Sequence, residues 1–354
     1  MDNDGIPEHG RRVQRPLMRS NGIQRPRRKF VRDLVLIAGA APFLSASAAA
    51  QKAGRVPRIG YLGGDFTTHR DAFMNELRAQ GFVDGENVII EKRLQRDLAG
   101  GPAAAKELAA LPLDFIVASA LPYALMVRAA NPDMPMVITT CPGMISNGFA
   151  RSFEHPGGIY TGIDELPPGV TTKRMTLLKT AVPAARRIAL LSTTPGAGGH
   201  EVQLQDAQRV AASLEVTVHP YRATTPDELG RALEAIVADR MDAMLNFQGG
   251  LSVYRRQFIV DFVNAHRLPA IYQAAMFVEA GGLMAWAPDQ VEQQRVAARL
   301  AAKILEGAKP ADLPVTYPTG YGLTINTDAA RNAGLTLPPA LLAQAARVIQ
   351  SGGS

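Results

Sequence analysis

Short apolar runs alternate with amphipathic stretches along most of this chain, and the pattern runs through twice. In the first pass residues 58–62, 88–91, 115–118 and 136–139 are apolar runs of strand length. Between them Phe73 and Leu77, with a stop at Gly81, mark one helix, and Ala104, Leu108 and Leu111 mark another. The second pass places runs at 188–191, 216–219, 243–247 and 270–272. Continuous apolar strands joined through helices call for parallel sheets covered on both faces, so the fold class is α/β, built as two units in tandem. An internal echo supports the duplication. Asp114-Phe115-Ile116-Val117-Ala118-Ser119 in the first half resembles Asp242-Ala243-Met244-Leu245-Asn246-Phe247-Gln248 in the second. The break falls at His155-Pro156-Gly157-Gly158 and Leu166-Pro167-Pro168-Gly169, which flank a short strand at 160–162. After an apolar stretch at 282–286, the pattern predicts a long helix over 290–306, a strand-like 315–317 and a final helical region over 341–349.

Charge narrows the function classes. The formal net charge is +6, but nine of the 38 Lys/Arg and only four of the 32 Asp/Glu lie in residues 1–50, which leaves the rest nearly neutral. A phosphate-gripping patch is therefore unsupported, and nucleic acid is not an expected partner. The same N-terminal stretch reads as an export signal. Arg27 and Arg28 precede Phe30, an apolar run follows over 34–44, and small residues close it at Ala46-Ser47-Ala48 or Ala48-Ala49-Ala50. Eleven apolar residues are too few for a helix to span about 30 Å of hydrocarbon. Residues 1–50 are thus expected to be a twin-arginine-type signal peptide with an N-terminal extension, its start at Met1 or Met18. No cysteine follows the apolar run, so the product is expected in the periplasm without a lipid anchor.

Catalytic signatures are missing. The chain has no G-x-G-x-x-G, phosphate loop, H-E-x-x-H or G-x-S-x-G. His69, His155, His200, His219 and His266 are isolated from one another, so no metal site is expected. Cys141, the one cysteine, sits past a strand end where a nucleophile could be presented, but no partner base is evident and a small buried residue is the plainer reading. Neither a catalytic residue nor a cofactor is expected.

Open α/β sheets do bind ligands outside the carboxyl ends of their strands. In this chain those ends carry Asp65, Phe66, Ser119, Tyr123, Thr139 and Thr140 in the first half, and Ser192, Gln248, Tyr272 and Gln273 in the second. Taken singly, each Ser or Thr reads as a helix N-cap. Together they read as a polar ring for a small molecule, with Phe66, Tyr123, Tyr272, Phe277 and Trp286 as candidate walls.

Longer words then become recognisable. They are Arg58-Ile59-Gly60-Tyr61-Leu62, Leu77 through Gly81-Phe82-Val83-Asp84-Gly85-Glu86-Asn87-Val88, and His266-Arg267-Leu268-Pro269-Ala270. The most specific are Phe277-Val278-Glu279-Ala280-Gly281-Gly282-Leu283-Met284 and Ile304-Leu305-Glu306-Gly307-Ala308-Lys309-Pro310-Ala311-Asp312-Leu313-Pro314. On these the chain resembles ABC transporter substrate-binding proteins of the group serving tryptophan- and tyrosine-type uptake. The resemblance implies a type I periplasmic binding fold: two Rossmann-like lobes with parallel sheets joined by three inter-lobe crossings. It implies lobe 1 from 55–163 and 285–312, and lobe 2 from 164–284 and 313–350. It also implies a monomeric non-enzyme that captures an amino acid-like molecule or an aromatic or other carboxylate for an ABC permease of the inner membrane. A ligand sensor for a membrane receptor, or an enzyme using Cys141, is the alternative. Three departures stand out. The family's Asp-Pro after the fourth strand is Gly143-Met144, its Ser-Gly-Thr-Pro is Ser119-Ala120-Leu121-Pro122, and its second-lobe Pro-Asp-Pro is Gln248-Gly249. With those acids gone, a zwitterionic ligand loses its expected partners.

Overall fold

A computed structural model describes residues 55–194, 198–247 and 249–350. The expected signal peptide over 1–50 and Gln248 lie outside the described residues. The first lobe runs β1 (Arg58–Gly64), α1 (Thr67–Ala79), β2 (Ile89–Gln95), α2 (Gly101–Ala109), β3 (Phe115–Ala118), α3 (Leu121–Ala130), β4 (Met136–Cys141) and β5 (Tyr160–Asp164). The second begins α4 (Val170–Ala181), β6 (Arg187–Ser192), α5 (Gly198–Ala211), β7 (Thr217–Arg222), α6 (Pro226–Ala238) and β8 (Ala243–Asn246). It continues α7 (Gly250–Tyr254), α8 (Arg256–Ala265), β9 (Ala270–Tyr272), α9 (Ala275–Glu279) and β10 (Met284–Ala287). The remainder is α10 (Gln290–Leu305), β11 (Gly322–Asn326), α11 (Thr327–Asn332), α12 (Pro339–Leu342) and β12 (Ala345–Ile349).

One sheet is ordered β2-β1-β3-β4-β5 and is parallel throughout. The other is ordered β12-β11-β10-β9-β8-β6-β7, with β10 and β11 antiparallel and the remaining pairs parallel. Its β7-β6-β8-β9-β10 portion repeats the strand order of the first sheet. Both are therefore α/β lobes of one topology, and in each the order reverses beside the first strand, between β1 and β3 and between β6 and β8. The echo of sequence is an echo of structure. Asp114 accepts the Arg58 N–H at 2.8 Å, and Asp242 accepts those of Arg186 and Arg187 at 2.8 Å. In both lobes the residue before the third strand thus ties down the start of the first.

Apolar layers cover both faces of each sheet. Helix α10 leaves the second lobe and packs on α1, β4 and β5 of the first, burying Ala297, Ala298 and Ala301. Asp289 caps it by accepting the N–H groups of Val291 and Glu292 at 2.9 and 3.2 Å. The chain therefore crosses between lobes three times: after β5, after β10 and before β11. The crossings are bonded to one another. Asp164 N–H donates to the Thr316 carbonyl at 2.9 Å and Thr316 N–H to that of Gly162 at 3.1 Å. Tyr321 Oη donates to the Glu165 carbonyl at 3.0 Å, and within the second lobe Arg174 Nε of α4 donates to the Trp286 carbonyl at the end of β10 at 3.0 Å.

Three expectations need correction. A lobe boundary at 285 cuts β10, whose pairing with β9 and β11 keeps Ala285 through Ala287 in the second lobe. Residues 313–316 stay on the first lobe: the Leu313 carbonyl accepts the Thr161 hydroxyl, Val315 N–H donates to the Phe153 carbonyl, and 315–317 is a single bridge to Ile163 rather than a strand. The expected final helix over 341–349 is a short α12 followed by β12. The edge of β11 offers unpaired backbone groups, and the segment meets them by pairing from Leu323↔Ala345 to Asn326↔Ile349.

Candidate functional site

Where the strand order reverses, the loops after neighbouring strands turn to opposite faces and leave a crevice. The crevices of the two lobes face each other and form one cleft of about 870 Å³, counted out to its open mouth. Rings supply much of its wall: Tyr61, Phe66, Tyr123 and Tyr254, with the imidazole of His69. Phe66 lies 5.8 Å from the ring of Tyr254 and 5.7 Å from that of His69. Polar groups come from Ser119, Thr140, Gln290 and Gln294 on the first-lobe side, and from Thr194 and Gln273 on the second. No Asp, Glu, Lys or Arg is among the described lining residues.

The lobes touch at both rims. Tyr123 Oη of α3 and Tyr254 Oη of α7 share a hydrogen bond of 2.5 Å. Burial and then this bond push the Tyr123 phenol above its ordinary pKa, and burial does the same for Tyr254, so both stay protonated and can bond as neutral groups. At the other rim Asn147 Oδ1 accepts the Gly198 N–H at 3.0 Å. The next residue, Gly199, sits where a Cβ would stand 2.0 Å from the Pro142 carbonyl, so only glycine fits. Burial lowers the pKa of His69, with Asp289 and then Glu279 opposing, and a neutral imidazole faces the cleft near pH 7.

Of the residues expected from sequence, Phe66, Ser119, Tyr123, Thr140 and Gln273 line the cleft. The others do not. Asp65 is exposed and turns to Arg70 at 3.6 Å. Thr139 is buried behind the wall, its hydroxyl donating to the Ser119 carbonyl at 2.9 Å, while its neighbour Thr140 points the other way into the cleft. The same alternation buries Tyr272 against Phe277, ring centroids 4.8 Å apart, and presents Gln273. Ser192 is fully buried at the end of β6. Of the proposed aromatic walls, Phe277 is core, and Trp286 stacks on Tyr321 away from the cleft. Gly143 and Met144 donate their N–H groups to Asp164 at 2.9 and 2.7 Å, and the Met144 side chain is core. Cys141 is fully buried, and burial, then Asp164 and Glu165, push its thiol pKa well up, the reverse of what a nucleophile needs.

Sequence reading passed over Tyr254, Gln290, Gln294, Thr194, His69 and Tyr61. Tyr254 could have been sought through the duplication, since it follows β8 as Tyr123 follows β3. Gln290 and Gln294 are one turn apart on a single helix face. That α10 turns this face to the first lobe's strand ends is a property of the crossing, invisible in local pattern.

A family model described as ABC transporter substrate binding protein matches residues 64–349. The chain belongs to this family. A tyrosine-binding protein of Clostridioides difficile (strain R20291) is 24% identical over 263 residues, 74% of this chain and 75% of its own. Among solved structures, an ABC domain in complex with L-Trp from Streptococcus pneumonia shares 23% identity at a TM-score of 0.76, covering 83% of this chain and all of its own. A ligand-free, open substrate-binding protein with adhesive properties from Clostridium difficile shares 22% at 0.60, covering 84% of this chain and all of its own. This substrate-binding protein therefore has the type I periplasmic binding fold, and among its described residues no helix is long and apolar enough to cross a membrane.

Proposed function

We propose that this protein is the solute-capturing component of an ABC uptake system, exported to the periplasm, where it acts as a monomer. It closes two lobes over a small molecule with an aromatic or similarly apolar body and delivers it to a permease of the inner membrane. The observation that carries the reading is the cleft itself, walled by rings and small polar groups from both lobes at their facing crevices. The tyrosine-binding relative and the L-Trp complex favour the same kind of ligand. No catalytic step is assigned, since the one thiol is buried and no acid or base pair faces the cleft among the described residues.

Native mass spectrometry of the protein taken gently from the periplasm tests this. A bound small molecule is expected, and it should be lost from Gly250→Phe, because even a Cβ at Gly250 stands 2.7 Å from Pro122 across the cleft. A molecule retained undiminished by that variant would place binding elsewhere. Export is tested by replacing Arg27 and Arg28 with Lys, which should leave the precursor in the cytoplasm; undiminished export would exclude the twin-arginine route.

A further inference from the structure

Two glutamines line the cleft from opposite sides, Gln294 of α10 on the first lobe and Gln273 just past β9 on the second. Both are nearly inaccessible, at 3% and 1% exposure. Proton counting decides which end of each amide faces the wall. The Thr139 hydroxyl spends its one proton on the Ser119 carbonyl at 2.9 Å, so the Gln294 atom 3.0 Å from Thr139 Oγ1 has to be the donor nitrogen. In the second lobe the Ser252 hydroxyl donates to the Gly249 carbonyl at 2.8 Å, and Gln273 meets it through Nε2 at 3.4 Å. Each amide nitrogen is thus tied to a hydroxyl, and each hydroxyl to the chain entering a helix that faces the cleft. What remains is Oε1 of each glutamine, buried and without a hydrogen-bond partner among the described residues. Buried acceptors are costly to leave unmet, and two of them contributed by cleft residues ask for donors from whatever the cleft encloses.

Charge limits what those donors can be. With no carboxylate in the described lining, an ammonium group enclosed there has no opposite charge to replace its lost hydration. Two neutral donors avoid that penalty, and the rings of Tyr61, Phe66, Tyr123 and Tyr254 suit a flat body between them.

Resting on the reading of the cleft as the solute site, we propose that its solute is a flat aromatic molecule without a cationic group that offers an uncharged N–H or O–H donor to Gln273 Oε1 and another to Gln294 Oε1. The two glutamines then set specificity: each lobe contributes one acceptor, and only a ligand with a donor toward each satisfies both in the closed form.

Calorimetric titration of the full-length protein with four probes tests this. They are 3-(4-hydroxyphenyl)propanamide, which has a phenol and an amide donor; its O-methyl, N,N-dimethyl derivative, which has neither; tyramine; and L-tyrosine. The propanamide should bind, and the other three should bind at least about tenfold more weakly. Gln273→Met and Gln294→Met should each weaken the propanamide about tenfold while leaving the blocked derivative unchanged. If either Met variant misfolds, the near-isosteric Glu variants serve instead and should shift preference toward tyramine. L-tyrosine or tyramine binding as tightly as the propanamide would overturn the inference while leaving solute capture intact. Equal binding of propanamide and blocked derivative, or no binding of the propanamide, would overturn it as well, and solute capture would then be judged by the co-purified molecule alone.

Discussion

Replacing Gly63 by Ala probes how the site is assembled, and its effect can be worked from distances. Gly63 lies in β1, and the strand end is buried. A Cβ there would stand 2.2 Å from Ser119 Oγ, 2.7 Å from Ser119 Cβ and 3.2 Å from the Tyr61 ring. The first two are well inside contact distance, and rotating the Ser119 side chain relieves only the hydroxyl clash because its Cβ is fixed to the backbone. The loop from β3 into α3 therefore has to move, although Ser119 N–H is bonded to the Leu62 carbonyl at 2.9 Å. Overpacking of this kind costs about 1–3 kcal/mol, which at roughly 2–4 °C per kcal/mol lowers the melting temperature by several degrees. Thermal and urea unfolding of Gly63→Ala measure this directly. The double variant Gly63→Ala with Ser119→Gly removes the offending atoms and should recover most of the loss, giving a coupling energy above about 0.5 kcal/mol. A single variant as stable as the parent, or a double variant whose losses simply add, would refute the argument that glycine is required for Ser119 to approach β1.

Three further outcomes are expected. Tyr254→Phe keeps the ring beside Phe66 but strands the Tyr123 hydroxyl in the closed form, so solute affinity should fall by about 1–3 kcal/mol with little change in the melting temperature of the unliganded protein; unchanged affinity in titration would show that the bond does not favour closure. Burial holds the pKa of His69 below 6.5, so as pH falls through that value the unfolded chain takes up the proton first and stability drops; melting curves from pH 7 to 5 should show a shallower decline in His69→Gln, and an identical decline would exclude His69 as a contributor. Cys141→Ala should bind solute as the parent does, and the native thiol should resist alkylation until the protein unfolds; rapid labelling of the folded protein would contradict its burial.

The alternation of runs determined two α/β units because burial on both faces of a parallel strand leaves a mark in any sequence that makes one. The duplication was legible for a related reason: Asp114 and Asp242 serve the same backbone N–H groups in each lobe, so the same residue stands at the same step. The cleft at the strand ends was also legible, and Phe66, Ser119, Tyr123, Thr140 and Gln273, picked out from the strand ends, line it. Which member of a neighbouring pair faces the cleft was not. Thr139 and Thr140, or Tyr272 and Gln273, are both plausible by type, and only the register of the strand against its covering helices selects one. Residues arriving from afar were hidden altogether. Gln294 reaches the first lobe because α10 crosses back to pack on α1, and Tyr254 meets Tyr123 across 131 positions of sequence. The edge that turned 345–349 from helix to strand belongs to β11, not to the segment itself. In each case the deciding partner is distant along the chain, and local pattern carries no record of a contact that forms only when the lobes are built.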